Sequence, residues 1–400
     1  MAVLFQAHLH HARRIVHWVS IVLVLFITAC SSSPNETGAG GTPSVAANIT
    51  PLALAPIASA LHCPQNGSTQ RPGVFIQSDG QHFTYDKKPI LFTGFTFYPG
   101  SAGGAGAWRG AQFTTYIDHI LDMGAQSGQN LIRPTDFWSK EATTQRVDDA
   151  TIWHNLDYVV CAAQQRGIFV VMDISAFKWL LLSQGRDSAD ATIWQPFITT
   201  VAKHYRDATA IAFYSILGEP NPPKTPAASQ TLVAFYRTLT DTLYAVDSHH
   251  LISAGGFNHM EDESPQIPWW HEIFALPHND IVGFKTYSQH DINLMPTIAQ
   301  YGQSLHKVLV DEEFGMPQHQ GDATFVGGSG YNQITTSRAQ FFDTVYKSGT
   351  SLGVAAFIFW NMGCEIKDTG YEVSPLTPAV WQVIMQHAAV SPTAATAVCG

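Results

Sequence analysis

The stretch IAFYSILGEPNPP, residues 211–223, is the best single indicator of the fold, because it combines an apolar run with a carboxylate directly after it. Residues 211–217 are almost all apolar, and Gly218, Glu219 and Pro220 follow at once. A continuous apolar run of this length, closed by turn residues, is typical of a strand buried on both faces, as in a parallel sheet. The stretch therefore predicts a buried strand with Glu219 at its C-terminal end.

Seven other short runs rich in β-branched and aromatic residues have the same character. They are PILFTGF (89–95), NLIRPT (130–135), IFVVMDI (168–174), LISAGG (251–256), IVGFKTY (281–287), VLVDEEF (308–314) and AAFIFWN (355–361). Segments with helical periodicity lie between them, and in two of these the apolar residues share one helix face: Trp194, Phe197, Ile198, Val201 and Tyr205, then Leu232, Phe235, Tyr236, Leu239 and Leu243. Eight such units predict an α/β fold, a (β/α)8 TIM barrel forming a single catalytic domain.

An open doubly wound sheet is the structural alternative. No Gly-x-Gly-x-x-Gly turn follows the first run, which disfavours the dinucleotide-binding form of that fold. The chain has 400 residues, 45% of them apolar, which is enough for one barrel of about 250 residues or more. Length and composition therefore agree with the barrel.

Charge limits the partners of the protein. Its 21 basic and 31 acidic residues leave a formal net charge of −10, which repels phosphate backbones and anionic lipid. Aromatic residues reach 12% against 13% charged residues, a composition that suits stacking surfaces. We therefore expect a neutral substrate and no nucleic-acid partner.

The N-terminal segment has the pattern of a targeting signal. Arg13 and Arg14 precede the apolar stretch IVHWVSIVLVLFITAC, which is shorter than the roughly 20 residues that a spanning helix needs. ITAC resembles a bacterial lipobox with Cys30 as the lipid attachment residue, and a Ser/Gly/Pro-rich tract typical of a tether follows. We expect a lipoprotein signal peptide at 1–29, a linker at 30–62 and the barrel at 63–400. The predicted location is extracellular, on a bacterial cell surface, with the lipid anchor as the membrane contact.

Cysteine and histidine usage indicates disulfides rather than a metal site. An exported protein meets an oxidising compartment. A bridge between Cys63 and Cys399 would join the two ends of the domain, but pairing among Cys63, Cys161, Cys364 and Cys399 stays open. No predicted strand carries the His-x-His or His-Glu-x-x-His spacing that would place two of the 18 histidines on one metal, so we expect no metal and no cofactor.

Two carboxylates stand at strand ends on opposite sides of the predicted barrel. Glu219 ends the fourth strand, and Glu313 in VLVDEEF ends the seventh. In such barrels the C-terminal strand ends carry the chemistry. Two carboxylates separated by about 5 to 5.5 Å are the arrangement of retaining glycoside hydrolysis.

Five motifs in order resemble clan A of the glycoside hydrolases, and family 5 with its β-mannanases and cellulases in particular. FIQSDGQHFTYDKKPILFTGFTFYP is similar to the first strand of that family, LIRPTDFW to the second, GEP to its Asn-Glu-Pro, EFG to its nucleophile motif and IFWNM to its eighth strand. The resemblance runs from about Val74 to about Gln386. The resemblance implies that the protein cleaves a β-linked polysaccharide, with β-mannan as the first expectation and β-glucan as the second. We expect the protein to be a monomer.

The resemblance also implies residue roles. Glu219 matches the acid/base and Glu313 the nucleophile, while strand alternation predicts that the neighbouring Glu312 points away from the barrel interior. Arg133 and Tyr287 match the family's donors to the nucleophile. Trp360 matches the platform under the sugar. Four further tryptophans are either sugar platforms or core: Trp138, Trp179, Trp269 and Trp270.

Two departures from the family pattern affect the predicted site. Gly218 replaces the asparagine that contacts the sugar 2-hydroxyl, so Asn258 or Asn221 would have to reach that group. Lys285 stands where the sixth strand usually has histidine. These changes favour an alternative function, a carbohydrate-binding surface lipoprotein on a catalytically degenerate barrel.

Overall fold

In the computed structural model, the described residues are 57, 59–64, 70–98, 107–138, 146–317, 336–364 and 370–392. Cys30, Cys399, the predicted signal peptide and most of the predicted linker lie outside them. All described residues belong to one compact unit, 51–400. None of the described helices combines the length and the apolar character needed to cross a membrane.

A small antiparallel sheet comes first and closes one end of the molecule. Its strands are β1 (Gln77–Ser78), β2 (Phe83–Tyr85) and β3 (Lys88–Ile90) in that order. Phe83 packs edge-on against Phe92 and stacks on Phe213, with ring centroids 5.2 Å and 5.9 Å away. These rings fill the N-terminal end of the barrel, so the other end remains for a site.

Eight parallel strands close into a barrel, which confirms the predicted fold. They are β4 (Phe92–Phe97), β5 (Leu131–Pro134), β6 (Phe169–Asp173), β7 (Ile211–Ser215), β8 (Leu251–Ser253), β9 (Ile281–Thr286), β10 (Val308–Phe314) and β11 (Val354–Phe359). The strands pair in chain order, and β11 pairs with β4 to close the ring. The first predicted strand, 89–95, was wrong at its start, because residues 89 and 90 pair with β2 instead.

Helices surround the barrel. Those of the described residues are α1 (Phe113–Gln126), α2 (Ala150–Gln165), α3 (Ala176–Ser183), α4 (Ala191–Tyr205), α5 (Pro226–Val246), α6 (Trp270–Phe274), α7 (Gln289–Ser304), α8 (Arg338–Ser351) and α9 (Pro378–Gln386). Local signals start several of them: the Asp149 side chain accepts from two amides at the start of α2, and Pro226 begins α5. The predicted apolar faces of α4 and α5 pack inward, with only Leu232 partly exposed.

Three described residues between 57 and 63 contact the helical layer. Ile57 is buried in the main core, the Leu61 amide donates to the His204 carbonyl, and Cys63 is bonded to Cys161 of α2. Ile57 and Leu61, both in the predicted linker, therefore contribute to the packing of the main core. The Cys63–Cys161 bond also excludes a bridge between Cys63 and Cys399.

Candidate active site

The C-terminal ends of the strands surround a cavity of about 770 Å³, part of which is open to solvent. Its walls come from six of the eight strands and the loops that follow them. The lining residues are Arg133, Thr135, Asp136, Asp173, Ser175, Lys178, Trp179, Ser215, Leu217, Gly218, Glu219, Lys285, Glu313 and Trp360. The cavity therefore holds most of the residues predicted from the strand ends.

Glu313 is buried at the bottom of this cavity and is held by three donors. Arg133 and Tyr287 each contact one of its carboxylate oxygens, and Lys285 Nζ lies 2.9 Å from Oε2. Burial alone would raise the pKa of Glu313, but Lys285, Arg133 and the Tyr287 hydroxyl outweigh it and lower the pKa to about 2. Glu313 is therefore ionised across the neutral range.

Tyr287 keeps its proton beside this carboxylate. Burial and the charge of Glu313 raise the pKa of Tyr287 well above its ordinary value. The hydroxyl therefore remains a hydrogen-bond donor, as the geometry requires.

Lys285 joins the two predicted carboxylates. Its Nζ lies 3.2 Å from Glu219 Oε1 and 2.9 Å from Glu313 Oε2. Those two oxygens are therefore no more than about 6 Å apart, which is compatible with a retaining pair. Burial lowers the pKa of Lys285, but Glu313 and Glu219 outweigh it and raise the pKa, so the group is an ammonium.

Glu219 differs from Glu313 in its surroundings. Its side chain is 49% exposed, against 8% for Glu313, so it has far more contact with solvent. Its backbone has a φ of 52°, and its amide donates to the Gly256 carbonyl at 3.0 Å. Asn258 Nδ2 donates to Glu219 Oε1 at 3.3 Å, whereas the other predicted substitute, Asn221, is exposed.

Glu312 points into the barrel, so the prediction that it faces the helices was wrong. It is fully buried and accepts hydrogen bonds from the hydroxyls of Ser215 and Ser253 on β7 and β8. The cause is an irregularity in β10, where the pairing with β9 shifts between Asp311 and Glu313. Such a bulge breaks the two-residue alternation and turns two successive side chains to one face.

Two glycines give Lys285 its path to the carboxylates. A Cβ on Gly256 would lie 3.2 Å from Lys285 Cγ and 2.8 Å from Glu312 Cβ. A Cβ on Gly218 would lie 3.0 Å from the Gly256 carbonyl oxygen and 3.6 Å from Lys285 Cε. A longer side chain at position 218 would extend beyond this Cβ toward Lys285, so Gly218 leaves space for the lysine.

A second group of polar residues lines the cavity wall after β5 and β6. Burial and the charge of Asp173 raise the pKa of Asp136 to about 7, and Asp136 is hydrogen-bonded to Trp179. Asp136 has a φ of 56°, a left-handed conformation that non-glycine residues rarely adopt. This group was not predicted, although RPTDFW places Asp136 just after a strand end.

The tryptophans divide into lining and core residues. Trp360 and Trp179 are half-buried and line the cavity, as a sugar platform would. Trp138, Trp269 and Trp270 are buried in the main core. Within the described ranges, histidine, cysteine and acidic side chains form no group of three or more that could hold a metal ion.

A parallel barrel with two carboxylates facing each other at its C-terminal strand ends is the architecture of barrel glycosidases. Residues 86–361 match the cellulase family, glycosyl hydrolase family 5. The chain belongs to that family, and it is therefore a glycosidase that acts on O-glycosyl bonds. No curated protein matches the chain.

Solved structures with the same fold include two endo-mannanases and a family 5 mannosidase. The endo-1,4-β-mannanase from Rhizomucor miehei is 17% identical, with a TM-score of 0.61, covering 78% of this chain and 98% of that chain. The endo-1,4-β-D-mannanase from Thermotoga petrophila RKU-1 is 15% identical, with a TM-score of 0.57 and coverages of 75% and 99%. The family 5 mannosidase from R. miehei is 15% identical, with a TM-score of 0.57 and coverages of 79% and 96%. At these identities, the likeness concerns the fold.

Proposed function

We propose that the protein is a retaining glycoside hydrolase that cleaves a β-1,4-linked polysaccharide by double displacement, with Glu313 as nucleophile and Glu219 as acid/base. The observation that carries the proposal is the pair itself: two carboxylates, one buried and ionised and one half-exposed, within about 6 Å across one cavity. β-Mannan is the first substrate and β-glucan the second, in keeping with the mannanases that share the fold.

The first step would form a covalent intermediate. Glu313 attacks the anomeric carbon, the glycosidic C–O bond breaks, and Glu219 gives its proton to the departing oxygen. In the second step Glu219 removes a proton from water, the water oxygen attacks the same carbon, and the bond to Glu313 breaks. Trp360 would lie under the sugar, and Arg133 and Tyr287 would keep Glu313 ionised and oriented.

The position of Lys285 favours the second candidate function, a barrel that binds carbohydrate without cleaving it. Its ammonium contacts both carboxylates, where the anomeric centre of a sugar would have to enter. Hydrolysis therefore requires the substrate to displace Lys285 from the two carboxylates. Binding of a glycan along the cavity rim would leave these contacts in place.

The test is reducing-sugar release from mannan, glucomannan, carboxymethyl cellulose, xylan and mixed-linkage glucan. We expect the unmodified chain to cut mannan or glucan, and Glu313→Ala and Glu219→Ala to lose about a thousandfold or more in turnover. Glu272→Ala, an exposed glutamate on α6, is the matched control and should retain activity. Azide should rescue both active-site variants, and the two glycosyl azide products should have opposite anomeric configurations. Glycan binding without release from any polymer would instead establish the second candidate.

We also propose that the protein is exported and anchored to the cell surface through lipid on Cys30. Support comes from the lipobox-like ITAC after the apolar stretch. Labelled fatty acid should enter the full chain but not Cys30→Ala. Equal labelling of both chains would contradict the anchor.

A further inference from the structure

Among the described residues, three cationic side chains line the cavity, and one of them makes no ion pair there. Arg133 and Lys285 both contact Glu313. The side chain of Lys178, on α3, makes neither a hydrogen bond nor an ion pair with the part of the chain that the structure describes, although it lines the same cavity. Arg133 and Lys285 already contact the proposed nucleophile, so Lys178 is the cation that a ligand could contact.

The Lys178 ammonium is held in place. Its Nζ lies 5.3 Å from the centroid of the Trp179 ring, and Trp179 is in turn hydrogen-bonded to Asp136. An ammonium fixed in this way loses less side-chain entropy when it binds than a free lysine does.

The surroundings of Lys178 favour an incoming negative charge. The side chain is half-buried, and burial lowers its pKa, with the charge of Glu219 opposing and that of Lys285 adding to the effect. Glu219 itself lies against Lys285 rather than Lys178. A partly desolvated ammonium that makes no direct ion pair with the described residues is unfavourable, and contact with an anionic ligand group would relieve this.

We propose that Lys178 binds a singly charged anionic group, a carboxylate or a sulfate ester, carried by a sugar of an otherwise neutral β-linked polysaccharide. The proposal rests on the glycosidase function above and specifies its substrate. A densely charged polymer does not fit, because the net charge of −10 and the cavity carboxylates Asp136, Asp173, Glu219 and Glu313 would repel it. Sparse anionic substituents on a neutral backbone do fit.

The experiment compares polymers that share a backbone and differ in charge. Carboxymethyl cellulose with a low degree of substitution is paired with hydroxyethyl cellulose, and galactomannan lightly oxidised at C6 to uronate is paired with untreated galactomannan. Lightly sulfated galactomannan forms a third arm, which distinguishes the two anions. The quantity measured is the ratio of kcat/KM for the charged polymer to that for its neutral counterpart, at low ionic strength. Equilibrium binding to the same polymers is measured alongside.

We expect a ratio of about ten or more for the unmodified chain, since a hydrogen bond to a charged group has that magnitude. Lys178→Gln should bring the ratio close to one, and Lys178→Arg should keep it high. Lys203→Gln, an exposed lysine on α4, is the matched control and should leave the ratio unchanged.

Equal ratios for the unmodified chain and Lys178→Gln would overturn the proposal while leaving the hydrolase function standing. A chain that cuts no polymer would contradict the hydrolase function instead. In that case the binding ratio decides: a preference for charged polymers that Lys178→Gln abolishes supports the role of Lys178, and equal binding refutes it.

Discussion

Lys285 is the residue on which the candidate site depends most. In the sequence it stands two positions before Tyr287, which directly follows β9, and strand alternation places both side chains on one face. The structure brings its ammonium between Glu219 and Glu313. Lys285, a residue that departs from the family pattern, is therefore part of the site. Its two-residue spacing from Tyr287 is the sequence feature that predicts a side chain directed into the site.

Replacing Lys285 by methionine should move the acidic limb of kcat/KM to higher pH. Attack on a sugar needs ionised Glu313, whose pKa of about 2 lies below the ordinary 4.5, so ionisation is lost only as the pH falls through about 2. Without the ammonium that pKa rises, and we expect the limb to move up by about one unit or more. Measuring kcat/KM from about pH 2 to 8, a range that reaches the limb of the unmodified chain, checks this.

Lys285→Arg is the control, because it keeps the positive charge and should keep the limb low. The same charge stabilises the fold above the unfolded pKa of Glu313, and this contribution disappears as the pH falls toward about 2. An acidic limb at the same pH in Lys285→Met and the unmodified chain would show that Lys285 does not tune Glu313.

At the scale of the elements, β10 and the loop after β8 shape the site together. The irregular pairing of β10 turns both Glu312 and Glu313 into the barrel. Gly256 leaves the space that Glu312 and Lys285 fill. The hydroxyls of Ser215 and Ser253 satisfy the Glu312 carboxylate, whose burial raises its pKa.

Gly256→Ala should therefore damage activity more than folding. The added Cβ would lie 2.8 Å from Glu312 Cβ and 3.2 Å from Lys285 Cγ, closer than side-chain carbons pack. Overpacking of this kind costs about 1 to 3 kcal/mol, and displacement of Lys285 should lower kcat/KM about tenfold or more. Urea denaturation and kcat/KM measure the two effects.

Gly363→Ala is the matched control, since its Cβ would meet Glu372 at an ordinary 3.4 Å. It should change neither quantity by much. Full activity in Gly256→Ala would mean that the tight packing around Lys285 does not position the carboxylates.

At the scale of the whole molecule, the Cys63–Cys161 bond ties the N-terminal tether to α2 across 98 residues of sequence. A cross-link over a loop this long mainly restricts the unfolded chain. We expect Cys63→Ala/Cys161→Ala to lower the free energy of unfolding by about 2 to 5 kcal/mol. Chemical denaturation of the double variant and the unmodified chain measures this difference.

Neither Cys63 nor Cys161 lines the cavity, so kcat/KM of the double variant at low temperature is the control and should be retained. An unchanged denaturation midpoint would contradict the stabilising role.

The sequence by itself determined the barrel and the strand ends that carry Glu219 and Glu313. Both follow from patterns local to the chain, namely apolar runs of strand length, helical periodicity and turn residues. These patterns hold because each strand is buried on both faces and each helix on one. The same reasoning failed for Glu312, because it assumes regular alternation and a bulge is set by pairing with a neighbouring strand.

Only the tertiary structure decided which distant groups meet. It placed Lys285 between two carboxylates from different strands, paired Cys63 with Cys161, and separated Trp179 and Trp360 at the cavity from three tryptophans in the core. The physical reason is that these contacts depend on barrel closure and on the space that Gly218 and Gly256 leave open. Closure joins residues that no periodicity in the chain relates.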